Sequence, residues 1–202
     1  MGSKGLLIVI SGPSGTGKGT ICKALLNRND FWLSISATTR TPRKGEQHGR
    51  EYYFLDKDEF ERRISSKDFL EYAKVYENYY GTPKSEVLEK LEKGKDVILE
   101  IDIQGGLEVK KAYDEAILIF IIPPSIDELT NRIINRGTET EESLRIRLNS
   151  AKSEIKCSKK YNYVVVNDTV ENAVNKIESI IISEKCKIDK VKEDIDNEFL
   201  NN

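Results

Sequence analysis

Residues 6–20 read LLIVISGPSGTGKGT. Five consecutive apolar residues run into a glycine-rich loop, and an unbroken run of that kind suits a strand covered on both faces, as in a parallel sheet. From Gly12 to Lys18 the spacing is G-x-x-x-x-G-K, that of a phosphate-binding loop. Phosphate needs many donors converging in a small space, which favours Gly12, Gly15 and Gly17, where no Cβ holds backbone N–H groups away. A helix starting near Lys18 adds free N–H groups and partial positive charge, and Lys18 reaches the β- and γ-phosphates. Position 19, where a hydroxyl usually meets Mg²⁺, is glycine. The ion can stay on nucleotide phosphates and water, with Thr20 bonding a phosphate oxygen.

Three further runs resemble the first: VILEI (97–101), ILIFII (117–122) and YVVVN (163–167), separated by segments of helical periodicity. The alternation predicts an α/β layer fold, a P-loop parallel sheet core flanked by helices. Ser125 with Glu128, Thr138 with Glu141 and Asp168 with Glu171 have the spacing of helix N-caps, and Gly94 and Gly137 that of helix ends. Two stretches break the alternation. From 34 to 82, SISATT, YYFL and FLEYAKVY surround one charged helical piece, DEFERRI, and predict a small mixed α/β insertion. From 126 to 159 the chain is helical and Arg-rich around GTETEE, as a mobile lid would be. One domain is expected over 1–186, its core at 1–33, 83–125 and 160–186, followed by a charge-mixed tail, 187–202, expected to fray.

Composition excludes several classes. With 32 Lys and Arg against 34 Asp and Glu in 202 residues, a net charge of -2 makes no electrostatic case for nucleic acid or an anionic membrane. Cys22, Cys157 and Cys186 are too dispersed for a zinc knuckle and odd in number, so they read as reduced thiols of a cytoplasmic protein. The apolar run near the N-terminus is too short for a signal sequence or a spanning helix. His48 is the sole histidine and is assigned no role. Oligomeric state is not readable from the sequence.

In SATTRTPRKGE (36–46) Arg40 and Arg43 stand three apart, with Pro42 stiffening the chain between them. Two guanidinium forks can clamp a second phosphate away from the loop. Glu100 and Asp102, at the end of VILEID, share a face if the strand continues that far, and can orient metal-bound water or meet substrate.

These pieces, with GREYYF, FLEYAKVYENYYGT, LEIDIQG, NRIINRG, TEESLRIRL and VVND, make the chain resemble guanylate kinases, the ATP:GMP phosphotransferases among P-loop nucleoside monophosphate kinases, over roughly residues 5 to 185. The resemblance implies a GMP-binding insertion, a helical lid and direct in-line transfer from Mg·ATP to GMP, with dGMP as a second acceptor, in purine nucleotide metabolism. ATP would be held by Gly12, Pro13, Ser14, Gly15, Thr16, Gly17, Lys18, Gly19 and Thr20, with Arg132 and Asn167 beside them. Arg40, Arg43, Tyr52 and Tyr80 would hold the GMP phosphate, with Glu46 in the same stretch. Ser36, Glu71, Thr82, Glu100 and Asp102 would complete the GMP site. A carboxylate such as Glu71 can accept from guanine N1–H and N2–H₂ together, and a hydroxyl of Ser36 or Thr82 can donate to O6. Lys18, Arg40, Arg136 and Arg147 are the implied catalytic cations; spacing alone does not separate Arg145 from Arg147. Mg²⁺ is the implied cofactor, carried by ATP and water with no direct protein ligand, Thr20, Glu100 and Asp102 acting through water. Family members often have Asp where Glu100 stands.

Three alternatives are weaker. An adenylate kinase shares GKGT but not the set Ser36, Glu71 and Thr82. Guanylate-kinase-like scaffold modules generally lose the glycine loop, which is present here. Signalling GTPases read guanine through N-K-x-D, and the nearest match, NKIE (175–178), falls in a helical stretch.

Overall fold

A computed structural model describes the backbone of residues 4–75, 77–134, 141–196 and 198, and the side chains of the same residues apart from 141–147, 193 and 194. The four apolar runs form β1 (Leu7–Ser11), β7 (Val97–Glu100), β8 (Ile117–Ile122) and β9 (Tyr163–Val166). With β2 (Trp32–Leu33) they make a parallel sheet of order β2-β7-β1-β8-β9. Alternation along β1 sends Ile8 and Ile10 to one face and Leu7 and Val9 to the other. The first face packs on α1 (Lys18–Arg28) and α7 (Val170–Lys185) through Ile21, Leu25, Val174 and Ile177. The second packs on α3 (Lys84–Glu92) and α4 (Ile103–Ala112) through Val87, Leu91 and Val109. Two covered faces explain why the runs are unbroken rather than alternating.

A second, smaller sheet has the order β4-β3-β6-β5. It contains β3 (Ala37–Thr38), β4 (Tyr53–Phe54), β5 (Phe69–Val75) and β6 (Asn78–Pro83), with α2 (Lys57–Ser65) against it. Its apolar centre is separate: Phe60 of α2 stacks on Phe69 at 4.5 Å and on Tyr79 at 5.2 Å between ring centroids. The β5–β6 pairing sets Glu71 opposite Thr82, just past a register irregularity after Phe69.

The remaining helices are α5 (Ile126–Ile134) and α6 (Glu141–Lys156), which pack through Leu129, Ile133, Leu148 and Ala151, and α8 (Ile188–Ile195). The tail expected to fray therefore contains a helix: Ile188, Val191 and Ile195 have helical spacing, and Lys190 pairs with Glu115.

Helix starts follow the expected chemistry with two shifts. Ser125 Oγ accepts from the Glu128 N–H at 3.0 Å as expected. For α7, however, the cap is Thr169, accepting from Asn172 N–H, while Asp168 accepts from the N–H of Thr169 itself. Likewise β7 stops at Glu100, and Asp102 caps α4 by accepting from Gly105 N–H at 2.8 Å. The two acids thus do not share a strand face; a carboxylate that satisfies an otherwise unpaired helix N–H is better used as a cap. Gly94 ends α3 with φ +73°. Thr138 and Gly137 lie outside the described residues.

Candidate active site

The glycine loop joins β1 to α1 at the carboxyl end of the parallel sheet, where an open α/β sheet presents its crevice. Gly17 immediately precedes α1 with φ +91°, a left-handed conformation, and a Cβ there would lie 2.5 Å from Asn167 Nδ2. Only glycine meets both conditions. Lys18 Nζ donates to the carbonyls of Gly12 at 2.6 Å and Pro13 at 3.1 Å, so the ammonium rests on its own loop. Thr16 is buried and its hydroxyl donates to Pro13 O. Thr20 is exposed. At Gly19 an added Cβ would sit 3.3 Å from Glu100 Oε1, so the missing side chain gives that carboxylate room.

Asn167 and Arg132, expected near the donor base, support the loop from behind. Asn167 is 3% exposed and its Nδ2 donates to Thr16 O at 2.7 Å. Arg132 donates to Asn167 O at 3.0 Å and to Glu128 Oε1 at 2.7 Å. Asn167 Oδ1 is buried with no hydrogen-bond partner.

A cleft of about 830 Å³ runs from the loop to the small sheet. Gly12, Ser14, Lys18, Glu100 and Asp102 line one part, and Ser36, Tyr52, Glu71 and Tyr80 another. Glu71 is 8% exposed, and burial pushes its carboxyl up to about 7; the Thr82 hydroxyl opposes the rise and Asp102 adds to it. Thr82 is fully buried and donates to Glu71 Oε1 at 2.7 Å. Its proton is directed at the carboxylate, so Thr82 holds Glu71 in place, while Ser36 lines the cleft itself. Burial also raises the Glu100 carboxyl, and Lys18 and Lys23 work against that rise.

Arg40 stands beside Tyr52 of the cleft lining without itself being part of that lining. Its Nη2 reaches both Glu46 oxygens at 3.0 and 2.9 Å, and the guanidinium lies 5.5 Å from the Tyr52 ring centroid. Burial is the largest single influence and disfavours its charge, yet the hydrogen bonds and charges of Glu46 and Tyr80 together hold its pKa above the ordinary value. Glu46 also accepts from Arg43 N–H at 2.7 Å. It therefore orients Arg40 and the turn beneath it, instead of standing in the cleft. The Arg43 side chain is exposed. Arg136 lies outside the described residues, and of Arg147 only the backbone, within α6, is described.

Sequence reasoning missed Gln104, Ser150, Ser153, Glu154 and Cys157, all on the cleft lining. The last four recur at helical spacing, beside the apolar stripe Leu148, Ala151 and Ile155; that pattern was the available signal.

A family model described as guanylate kinase matches residues 4–184. The chain belongs to the guanylate kinase family. The guanylate kinase of Clostridium tetani is 67% identical over 192 residues, covering 95% of this chain and 92% of that relative. That of Clostridium acetobutylicum is 63% identical over 195 residues, 96% of this chain and 93% of the relative. The crystal structure of guanylate kinase from Anaplasma phagocytophilum superposes with a TM-score of 0.79 at 32% identity, covering 100% of this chain and 98% of that one. As a family member the protein is a nucleoside monophosphate kinase with an α/β fold.

Proposed function

We propose that this kinase transfers the γ-phosphoryl group of ATP to the phosphate of GMP within the cleft shared by Lys18 and Glu71. That sharing is the observation that carries the reading: a phosphate loop and a buried carboxylate line one space. The loop binds the donor, Lys18 exchanging the Gly12 and Pro13 carbonyls for phosphate oxygens. Glu71, fixed by Thr82, accepts from guanine N1–H and N2–H₂, and Ser36 donates to O6. Arg40, braced by Glu46, holds the acceptor phosphate with Tyr52 and Tyr80, and Arg43 adds charge at its rim. Arg136 and Arg147 come to the transferring phosphates by family resemblance, as does Arg132 near the donor.

Transfer then depends on alignment and on neutralising charge over the equatorial oxygens, with no covalent enzyme intermediate. We assign 34–82 to acceptor binding and 126–159 to a lid that excludes water, which would otherwise take the phosphoryl group. Among the described residues no three His, Cys, Asp or Glu side chains converge to cage a metal. Glu100 and Asp102 on the lining fit a hydrated Mg²⁺ carried by ATP, with their carboxylates bonding its waters. The bound ion would neutralise phosphate charge. A cytoplasmic location is supported by three free cysteines, which suit a reducing compartment; among the described residues no helix is long and apolar enough to cross a membrane.

A coupled assay with ATP and each of GMP, AMP, CMP and dTMP tests the reading. GMP should exceed AMP in kcat/KM by about 10⁴-fold, as sites built on buried polar pairing allow. Lys18→Ala should lower kcat by about 10²–10³-fold with the fold intact. Comparable rates with AMP would overturn the guanine assignment.

A further inference from the structure

Helix α6 presents a face that the reading above does not use. Ser150, Ser153, Glu154 and Cys157 all reach the cleft, and Glu154 alone among them is charged. It is partly buried, and burial raises its carboxyl while Lys18 pulls it back and Asp102 adds to the rise. Its charge therefore lies within electrostatic reach of the loop ammonium. Glu100 reaches the same ammonium from β7. Two carboxylates on different elements thus share the field of Lys18 in one cleft. Among the described residues no three such side chains converge to cage a metal; what Glu154 offers an incoming group is its charge.

A bare triphosphate carries several negative charges to this point. Fixed carboxylates repel it, and more strongly as water is displaced from the cleft. A divalent cation riding on the phosphates reverses the sign of that contact. Resting on the donor-site assignment above, we propose that Glu154 is a specificity-determining residue that makes the donor site prefer the metal complex of ATP over metal-free ATP. It penalises the uncompensated polyanion, so that α6 docks over a donor whose charge is already offset.

Titration calorimetry of the full chain with the β,γ-imido analogue of ATP, without GMP, tests this in EDTA and in excess Mg²⁺ at pH 8. Glu154→Gln should tighten binding in EDTA by about three- to tenfold, the size of one like-charge contact in a partly screened site, with less than about a twofold change in Mg²⁺. Glu154→Asp keeps the charge and should keep the wild-type ratio of the two affinities to within about twofold. An unchanged ratio for Glu154→Gln, or equal tightening in both media, overturns the proposal while leaving the donor site standing. Wild-type protein that fails to bind the Mg²⁺ complex overturns the donor-site reading, and this proposal with it.

Discussion

Replacing Glu71 by Gln removes a charge whose burial costs stability. The carboxyl is 8% exposed, and burial pushes it up to about 7 from an ordinary 4.5. A carboxyl that holds its proton more tightly when folded favours folding below its unfolded pKa, and that contribution is lost as pH rises from 4.5 through about 7. The gap amounts to at most about 3 kcal/mol missing at pH 8. Gln is neutral throughout, has nearly the same volume and keeps an oxygen for the Thr82 hydroxyl. In urea unfolding without ligand, Glu71→Gln should be more stable than wild type by about 1–3 kcal/mol at pH 8, and within about 1 kcal/mol at pH 5. Comparing the two proteins at each pH cancels the other titrating groups. The same change should lower kcat/KM for GMP by about 10²–10³-fold, because the amide turns an N–H₂ toward a guanine donor and leaves it unpaired. Parallel pH profiles for the two proteins would refute the burial argument, and unchanged kcat/KM for GMP would remove Glu71 from the base site.

Two more substitutions separate acceptor from donor. A Cβ at Gly105 would lie 3.0 Å from Glu71 Oε2, so Gly105→Ala should displace the carboxylate and raise KM for GMP by about three- to tenfold, leaving KM for ATP alone; equal shifts in both constants would count against it. Asn167→Ala strips the buried Thr16 carbonyl of its side-chain donor and should cost about 1–3 kcal/mol in unfolding experiments while raising KM for ATP selectively. A selective rise in KM for GMP instead would contradict the placement of Asn167 behind the loop.

The large sheet was legible because its strands are buried on both faces, and such strands are written as unbroken apolar runs. β2 was not, since two residues, Trp32 and Leu33, carry no period and are fixed by pairing with β7. The shared face of the acids after β7 depended on the strand continuing, and it does not: Asp102 belongs to the helix it caps, and spacing alone cannot say where a strand stops. In the site, motif residues carried the loop and the acceptor stretch. Glu46 and Thr82 hold Arg40 and Glu71; a sequence does not distinguish a residue that touches substrate from one that aims its neighbour. Gly105 was invisible because its importance lies in a side chain it lacks, beside a carboxylate more than 30 positions away in the sequence.

The ring stack of Phe69, Phe60 and Tyr79 gives the smaller sheet an apolar centre of its own, while Leu70 of β5 ties that sheet into the core beneath the second face of the larger one. On the proposed reading, the plate that chooses the nucleobase has its own centre yet is pinned by Leu70 to the body that transfers phosphate. Drift within the ring stack reshapes that plate alone, whereas drift at Leu70 disturbs both.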